Sequence, residues 1–524
     1  MTEDVETIPA LLALRCTLDG DMRAIVTDDA AVTYTELDAT SSALAARLVA
    51  TGIVKGDRVG LLAPNGIDWA TTALAALRIG AVLVPLSTLL RPPELLAQLT
   101  TGNVTHLITA ASFRDRSYLD DLDVAAPGLR SAVTARGRHA AAPALRAIWT
   151  IDGLPEATAT GELVVALEGR VRPADDLAIL FTSGSSGIPK GVIHTHGGAL
   201  RAVAAGLDAR CVHHGERLYI PMPFFWTGGF STGLLTALVA GATLLTEAEP
   251  EPSRTLALLE RERATLFRGW PDQAARLAAH PEFATADLSS LGDGSLPAVL
   301  PAERRPAPGA RANVFGMTES FGPYCGDRLD LDLPRDKVGS CGRPFAGTEV
   351  CIADPESGTE VPAGEQGEIR LRGPNLLRGV CGRPRSTVFT VDGWYRTGDL
   401  GRLDADGYLW YGGRVDDMFK VKGATVYPSE VEAALHAVPG VRFAHVADVT
   451  DEGGRSEVGA AVVTDAPLDA IRSGVRERLS AFKVPSVWVL TTDPQDVPML
   501  SSGKIDTAGL RRLLTDEGKR GTDS

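Results

Sequence analysis

Short apolar runs of β-type composition alternate with segments of helical spacing near the start of the chain. Between residues 23 and 111, β-type runs at 24–27, 59–62, 81–85 and 105–109 are separated by helical patterns at 36–49, 69–77 and 93–99. This alternation is typical of parallel sheets, because each helix carries the chain back to the start of the next strand. The pattern therefore predicts stacked βαβ units.

The same alternation resumes after a loop-rich Ala/Arg/Pro stretch at 123–148. It predicts a strand at 177–181, a helix around 233–239 and a strand at 242–246. We therefore expect a second α/β sheet or subdomain.

The pattern changes from residue 337 onwards. Short β-type runs at 368–372 and 407–411, separated by Gly, Pro and Asp, favour an antiparallel sheet. An α+β pattern follows, with a helix at 429–437, strands at 443–448 and 458–463, and a further helix up to residue 479. We therefore place a domain boundary near residue 415 and expect a disordered tail at 519–524.

Charge and composition exclude several classes of protein. Lys and Arg number 52 and Asp and Glu 66 among 524 residues, a formal net charge of −14, and so acidic a surface repels nucleic-acid phosphates. The longest apolar stretch is interrupted by Arg78, Gly80 and Pro85, and it falls short of the roughly 20 residues that span a bilayer. The N-terminus is acidic, unlike a secretory signal, and the six cysteines contain no C-x-x-C pair. We expect a cytoplasmic protein with no nucleic-acid partner, no membrane span and no cysteine-based zinc site.

A glycine- and hydroxyl-rich loop follows the predicted strand at 177–181 and runs from Thr182 to Gly191. Its glycines allow backbone N–H groups to converge on an anion, its hydroxyls add donors, and Lys190 supplies positive charge. The loop differs from a Walker A motif because Pro189 precedes the lysine and Gly191 follows it. A flexible linker would not lie directly against a buried strand. We therefore predict a loop that binds a phosphate chain.

Four further motifs follow this loop. They are Phe315-Gly316-Met317-Thr318-Glu319, Trp394-Tyr395-Arg396-Thr397-Gly398-Asp399, Gly413-Arg414-Val415-Asp416-Asp417-Met418-Phe419-Lys420 and Ser501-Ser502-Gly503-Lys504. In this order, the five motifs resemble those of the adenylate-forming superfamily, which includes acyl- and aryl-CoA ligases, peptide-synthetase adenylation domains and luciferases. The resemblance extends over residues 33–510.

The resemblance implies an α/β fold in two domains. A large N-terminal AMP-binding domain of stacked βαβ sheets, with a small β-barrel-like subdomain, would comprise residues 1–414. A small mobile α+β domain would comprise residues 415–524, with a hinge near Asp416. The implied reaction consumes ATP with Mg²⁺, and coenzyme A is the implied acyl acceptor.

The resemblance also assigns roles to individual residues. Thr182 and the loop after it would hold the β- and γ-phosphates, Thr318 would contact the α-phosphate, and Glu319 would help to hold Mg²⁺. Phe315 would stack on adenine, while Asp399 and Arg414 would bind the ribose. The ATP- and AMP-binding residues implied in this way are Thr182, Ser183, Gly184, Ser185, Ser186, Gly187, Lys190, Phe315, Gly316, Asp399 and Arg414.

The resemblance makes Lys504 the main catalytic residue of adenylation, with Thr318 and Glu319 beside it. A lysine there would bridge the carboxylate and the α-phosphate oxygen as charge develops between them. The last motif also reads S-x-x-K, as in serine acylases. No S-D-N or K-T-G partner motif occurs in the chain, so we reject that interpretation.

The residues near the predicted hinge are implied to serve the second half-reaction. Asp416 would absorb the rotation of the small domain, with a solvated turn carboxylate as the alternative. Lys420 and Gly423 would then face the entrance for the CoA thiol.

The segment Phe225, Trp226, Gly228 and Gly229 is predicted to form the acid pocket. Relatives often carry histidine where Trp226 stands, and no aspartate follows for a substrate amine. Aromatic walls, with glycines that leave space, favour a hydrophobic acid. Core packing is an equal alternative for Trp226.

These observations predict an AMP-forming acid–CoA ligase, with a fatty or other hydrophobic carboxylic acid, ATP and CoA as its small-molecule partners. One alternative is a stand-alone adenylating enzyme that passes its acyl- or aryl-adenylate to a carrier-protein thiol or an amine. Another is a catalytically dead relative, which should have lost Lys504 or Glu319; both are present.

Overall fold

The computed structural model describes residues 5–157, 159–182, 190–415, 419–421, 424–450, 456–479, 481–499 and 505–520. The chain folds into two compact units. The first comprises Met1–Val350, Leu371–Tyr395 and Gly407–Leu409, and the second comprises Cys351–Arg370, Arg396–Asp406 and Trp410–Ser524. The predicted division at residue 415 stays a prediction.

A seven-stranded sheet forms the centre of the first unit. Its strands are, in spatial order, Gly379–Val380, Lys190–Thr195, Asp176–Thr182, Val82–Pro85, Arg58–Leu62, His106–Thr109 and Ala147–Thr150. The pairs from Asp176–Thr182 onward are parallel, whereas the first three strands pair antiparallel. The βαβ alternation predicted for this region is confirmed.

A second sheet of five strands belongs to the same unit. Its spatial order is Leu266–Phe267, Arg217–Tyr219, Thr243–Leu245, Arg23–Val26 and Ala31–Thr33. All pairs are parallel except the last. A small antiparallel sheet of Phe315–Met317, Gly322–Gly326 and Arg343–Pro344 completes the unit.

Helices cover these sheets. The α-helices of the first unit are Ile8–Asp19, Tyr34–Ala50, Ile67–Arg78, Pro92–Thr101, Tyr118–Ala125, Leu129–Thr134, Gly161–Glu168, His196–Ala205, Thr227–Gly229, Thr236–Ala240, Pro252–Arg261, Pro271–Ala278 and Arg385–Val388. Tyr34–Ala50 begins at a capping box in which Thr33 and Glu36 satisfy each other's backbone N–H groups. Ile67–Arg78 is buried at every position from Trp69 onward, as expected for an apolar helix inside the core.

Two sequence expectations need correction in this unit. The stretch at 123–148 contains the helix Leu129–Thr134 and the end of the helix Tyr118–Ala125. It is therefore less loop-rich than expected. The helix expected at 233–239 begins as a π-helix, Phe230–Leu235, before its α-helical part. Such π segments occur frequently at functional sites.

The described part of the second unit combines three sheets with three α-helices. One sheet, largely within this unit, has the order Glu349–Ala353, Gly367–Arg372, Tyr395–Leu403 and Leu409–Arg414. The others are the pair Phe419–Val421 and Ala424–Val426, and a sheet in the order Val441–Thr450, Ser456–Thr464, Val487–Thr491 and Lys519–Arg520. The helices in its described part are Pro428–His436, Leu468–Arg476 and Thr507–Glu517. Lys519 and Arg520 pair with Val487–Thr491, so the expected tail is wrong for these two residues.

The predicted fold class is confirmed as mixed α/β with several sheets. The α+β pattern predicted beyond Gly413 forms around a core that includes Val431, Val462 and Trp488. Over the part of the chain that the structure describes, no helix is long and apolar enough to cross a membrane.

Candidate functional site

The predicted phosphate loop lies between two paired strands of the large sheet. Thr182 ends one strand, Lys190 begins the next, and the two residues are register partners in the antiparallel pair. The ends of the loop are therefore held about 5 Å apart. The predicted ligands between them, Ser183, Gly184, Ser185, Ser186 and Gly187, lie outside the described residues.

Lys190, Glu319 and Tyr395 form one polar cluster beside the loop. Lys190 Nζ lies 2.6 Å from Glu319 Oε1 and donates to the Tyr395 hydroxyl at 2.9 Å. The Tyr395 hydroxyl donates to the same Glu319 oxygen at 3.0 Å. Glu319 is buried, so its carboxylate is held by a lysine and a phenol rather than by water. The structure thus joins two motifs that are 129 residues apart in the sequence.

Sequence reasoning missed Tyr395 as a functional candidate, although it is the second residue of the Trp394 to Asp399 motif. Its position beside the phosphate loop depends on the pairing of distant strands. Nothing in the local pattern indicates that its hydroxyl reaches Glu319.

Two contacts hold Thr318 in place. The Thr227 hydroxyl donates to the Thr318 hydroxyl at 3.2 Å, and His194 Nε2 lies 2.8 Å from the Thr318 carbonyl oxygen. Because a carbonyl can only accept, Nε2 of His194 carries the proton. Burial lowers the pKa of His194 to about 4, despite the opposing effects of the Thr318 hydrogen bond and the Glu319 charge. His194 is therefore a neutral donor that fixes Thr318.

The turn after Thr318 has unusual backbone geometry. Phe321 adopts a left-handed conformation at φ 57°, although it is not glycine. Residues in this region are strained and persist only where the surroundings hold them. Here the Ser231 hydroxyl donates to the Phe321 carbonyl. The chain that carries Thr318 and Glu319 is thus fixed on both sides.

Gly316 allows two strands to approach closely. A Cβ atom at this position would lie 2.3 Å from the carbonyl oxygen of Gly322, so only glycine fits without a backbone shift. Phe315 packs edge-on against Tyr324, with ring centroids 5.6 Å apart, and it is half-buried. Part of the Phe315 ring is therefore covered by the protein's own side chain.

The four predicted acid-pocket residues lie together in one segment. Phe225 contacts the edge of Trp226, with centroids 5.2 Å apart, and Trp226 contacts Trp270 at 5.7 Å. The sequence suggested that the two glycines leave open space in the pocket. In the structure they do not. A Cβ atom at Gly229 would lie 2.2 Å from the Pro223 carbonyl oxygen. One at Gly228 would lie 2.7 Å from Met222 Sδ, so both glycines serve close packing of the turn.

A cavity of about 280 Å³ opens at the carboxyl ends of strands from both sheets of the first unit. Asn65 and Leu89 line it beyond the ends of two strands of the large sheet, and Tyr219 and Trp270 line it from the second sheet. Phe225 is also part of the wall. Ligands of open α/β sheets bind outside the carboxyl ends of strands, so this cavity is the candidate organic-ligand site.

Asp399 and Arg414 meet within the second unit. Arg414 Nη1 donates to Asp399 Oδ1 at 2.7 Å and to the Thr397 carbonyl oxygen at 3.1 Å. Asp399 is buried. The structure therefore brings together the two residues that the sequence assigned to one sugar.

Four remaining predicted residues cannot be placed in full. Asp416, Gly423 and Lys504 lie outside the described residues. Lys420 is in the strand Phe419–Val421, opposite Thr425; only its backbone is described.

A loop predicted to bind phosphates, beside the buried carboxylate of Glu319 and near a largely apolar cavity, suits an enzyme that joins a nucleotide to an organic acid. This arrangement on a two-sheet α/β unit is that of an adenylate-forming enzyme.

Comparison with known proteins agrees. Residues 13–381 match the family model described as AMP-binding enzyme, and the chain belongs to this family. The predicted membership of the adenylate-forming superfamily is confirmed.

Relatives extend the similarity over nearly the whole chain. A feruloyl-CoA synthase of Amycolatopsis sp. is 34% identical over 494 residues, 92% of this chain and 94% of the relative. A 7a-methyl-1,5-dioxo-octahydro-inden-4-yl propanoyl:CoA ligase of Mycobacterium tuberculosis is 33% identical, over 98% of this chain and all of the relative (100%). The ATP-bound structure of MatB from Rhodopseudomonas palustris has a TM-score of 0.75 at 25% identity, over 97% of this chain and 99% of that one.

The chain is accordingly an AMP-forming acid–CoA ligase. CoA ligases of this family use ATP, Mg²⁺ and coenzyme A.

Proposed function

We propose that this ligase activates a hydrophobic carboxylic acid, a fatty acid or another bulky apolar acid, as acyl-AMP and transfers the acyl group to CoA. The cavity of about 280 Å³ carries the proposal, because aromatic, proline and aliphatic side chains form most of its wall. Such walls, with few polar groups, are typical of sites for small organic ligands. The Mycobacterium tuberculosis relative is named for a propanoyl group on an indene ring system, which supports an acid of similar bulk.

In the first half-reaction, a carboxylate oxygen attacks the α-phosphorus of ATP. A P–O bond to the acid forms as the bond to the β-phosphate breaks, and pyrophosphate leaves. Such reactions depend mainly on positioning and on neutralisation of phosphate charge. We assign Thr318 to the α-phosphate because its hydroxyl and carbonyl are both held, by Thr227 and His194.

Lys190 and the loop from Thr182 to Gly187 would bind the β- and γ-phosphates. The ion pair between Lys190 and Glu319 holds the lysine side chain in position until phosphate oxygens arrive. Lys190 can then exchange one anionic partner for another with little loss of electrostatic energy.

The chemistry of Glu319 fits a Mg²⁺ ligand. The described residues contain no group of three or more His, Cys, Asp and Glu side chains arranged for a metal, and Mg²⁺ in nucleotide sites is commonly bound by one or two carboxylates plus substrate phosphates. When bound, Mg²⁺ would neutralise phosphate charge. Glu319 would offer it a carboxylate oxygen that is already oriented by Tyr395.

Further roles rest on the resemblance and are proposed with it. Phe315 and Gly316 would contact adenine, and Asp399 and Arg414 would bind ribose hydroxyls, which the buried position of the Asp399 carboxylate supports. Lys504 would stabilise the charge that develops during adenylation.

In the second half-reaction, the CoA thiolate attacks the acyl carbonyl carbon. A C–S bond forms, the C–O bond to AMP breaks, and AMP leaves; the thiol proton goes to solvent. Rotation of the C-terminal domain at Asp416 would bring Lys420 and Gly423 toward the thiol. In the alternative function, a carrier-protein thiol or an amine replaces CoA.

Pyrophosphate release tests this proposal. Purified protein with ATP and Mg²⁺ is assayed over fatty, aromatic and amino acids, each with and without CoA, and Lys504→Ala is the control for enzyme-dependent release. We expect acid-dependent release that continues over many turnovers only with CoA and is highest with hydrophobic acids. A single burst that CoA does not extend would favour the alternative acceptor, and amino acids as the best substrates would contradict a hydrophobic acid.

A further inference from the structure

The cavity wall contains one polar cluster among its apolar side chains. The cluster consists of Tyr219, Glu247 and Thr255, all three of which line the cavity. The Tyr219 hydroxyl and the Thr255 hydroxyl each donate to Glu247 Oε2 at 2.7 Å. Two hydroxyl donors therefore converge on a single carboxylate oxygen.

The other oxygen of Glu247 is unsatisfied. Glu247 is only 1% exposed, and its Oε1 has no hydrogen-bond partner among the residues that the structure describes. A buried polar atom without a partner is costly and requires an explanation. The nearby cation Arg114 is already paired with Glu249 at 2.6 Å, so it does not supply one.

Most of the remaining wall is apolar, and its other polar or charged side chains are Asn65, Thr88, Arg114, Gln273 and Arg276. Phe225, Phe267 and Trp270 present aromatic rings to the same cavity, and Phe267 packs against Tyr219 with ring centroids 4.9 Å apart. An apolar ligand would fill this space. A ligand with one hydroxyl group would also give Glu247 Oε1 a partner.

The cavity lies close to the proposed reaction centre. Phe225 lines it, and Thr227, two residues later, donates to the Thr318 hydroxyl. Two residues of extended chain span at most about 7 Å. An acid whose carboxylate lies beside the α-phosphate proposed at Thr318 is therefore within reach of the cavity wall at Phe225.

We propose that Glu247 is a specificity residue that recognises a hydroxyl group at the far end of a hydrophobic acid, in a cavity whose wall it shares with Tyr219 and Thr255. This inference rests on the proposed function. A hydroxyl can both donate and accept, so it pairs with Oε1 whether or not the carboxyl group holds a proton. A second carboxylate on the substrate would be repelled by an ionised Glu247, and the plain acid would leave Oε1 without a partner.

The test compares acids that differ only in this hydroxyl. The pairs are cinnamate with 4-hydroxycinnamate and octanoate with 8-hydroxyoctanoate, and the quantity measured is kcat/KM for pyrophosphate release with ATP, Mg²⁺ and CoA. For at least one pair, we expect the wild type to prefer the hydroxy acid by tenfold or more, because sites built to bind a hydroxyl reject analogues that lack it.

Variants assign the preference to Glu247. In Glu247→Leu the ratio of the two kcat/KM values should fall to about 1, and Glu247→Gln, which keeps an acceptor oxygen, should retain an intermediate ratio. The exposed carboxylate Glu303 supplies the matched control, Glu303→Gln, with an unchanged ratio. Thermal melting shows whether the leucine variant folds. If it does not fold, the role of Glu247 is judged from the kcat/KM ratios of the glutamine variant and the wild type.

The outcomes separate this inference from the proposed function. No pyrophosphate release with any acid in the wild type would remove the proposed function itself. Release without a hydroxyl preference, or a preference that both Glu247 variants retain in full, would overturn the role of Glu247 alone. Selective use of an acid with a distal amine or carboxylate would also overturn it.

Discussion

The Glu319 carboxylate accepts hydrogen bonds from Lys190 and Tyr395 within its own unit. One of these donors is charged and the other is neutral, so they contribute differently. Lys190 supplies a positive charge that can pair with a phosphate in place of Glu319, whereas Tyr395 fixes the direction of the carboxylate. The two residues can therefore be separated by substitution.

Tyr395→Phe should lower kcat/KM for ATP by about 3- to 20-fold while the protein stays folded, because one neutral hydrogen bond to a carboxylate is lost. Steady-state pyrophosphate release at varied ATP is the measurement, with Tyr411→Phe at an exposed tyrosine as the control. Wild-type kinetics in Tyr395→Phe would mean that Lys190 alone orients Glu319.

Two buried histidines should make stability depend on pH. Burial lowers the pKa of both His194 and His196 to about 4, below the ordinary value of 6.5. Between these values the unfolded chain binds protons that the folded chain does not. The contribution of these two histidines to the free energy of unfolding is therefore complete above pH 6.5, and it is lost as the pH is lowered toward 4.

From pH 7 to pH 5, each of these histidines should cost on the order of 2 kcal/mol of stability. Urea unfolding of His194→Gln at the two pH values should show a smaller loss than the wild type, and His213→Gln, at an exposed histidine, should match the wild type. An equal loss in His194→Gln and wild type would contradict a neutral, buried His194.

At the scale of secondary structure, the site is built where three elements meet. The strand Lys190–Thr195 supplies Lys190 and His194, the turn after Phe315–Met317 supplies Thr318 and Glu319, and the short helix Thr227–Gly229 supplies Thr227. Each contact between them is short and polar. A small shift of one element should therefore disturb all of them.

Gly316→Ala tests this dependence. The new Cβ would lie 2.3 Å from the Gly322 carbonyl oxygen, a backbone atom, so the two strands must separate. We expect a loss of about 1–3 kcal/mol in stability, and kcat/KM lower by about 100-fold because catalytic groups tolerate little displacement.

The control for Gly316→Ala is Gly161→Ala. Gly161 has no atom within 4 Å of an added Cβ and begins the helix Gly161–Glu168, which lies outside all five motifs. Melting temperature and pyrophosphate release are measured for both variants. Equal behaviour of the two would show that the Phe315–Met317 turn accommodates displacement.

At the scale of the whole molecule, the chain contains two compact units with separate cores. The first holds Lys190, Thr318 and Glu319, and the second holds Asp399 and Arg414. The proposed hinge at Asp416 follows Arg414 by two residues. A restriction at this position should affect the two half-reactions differently.

Asp416→Pro should slow acyl transfer to CoA by more than tenfold and adenylation by much less, because proline fixes φ at the proposed hinge. The acid-dependent pyrophosphate burst reports the first half-reaction, and acyl-CoA formation reports the second. Asp416→Ala, which leaves φ free, is the matched control. Equal losses in both half-reactions would refute the hinge.

Much of the fold was predictable from local pattern. The helix Tyr34–Ala50 and the strand Arg58–Leu62 differ from their predicted bounds by one or two residues, because apolar periodicity and a capping box are local signals. The π-helix Phe230–Leu235 was not predictable. It depends on packing against residues such as Ile220 and Phe321, which are distant in sequence.

For the site, the type of chemistry could be predicted from short contiguous motifs: a phosphate loop, the Thr318-Glu319 motif and a segment with aromatic residues and glycines. These signals are contiguous, so no fold is needed to recognise them. The tertiary structure decided which groups meet. Tyr395 reaches Glu319, His194 fixes Thr318, and Glu247 lies in the cavity wall, because sheet pairing brings together residues that no sequence spacing relates.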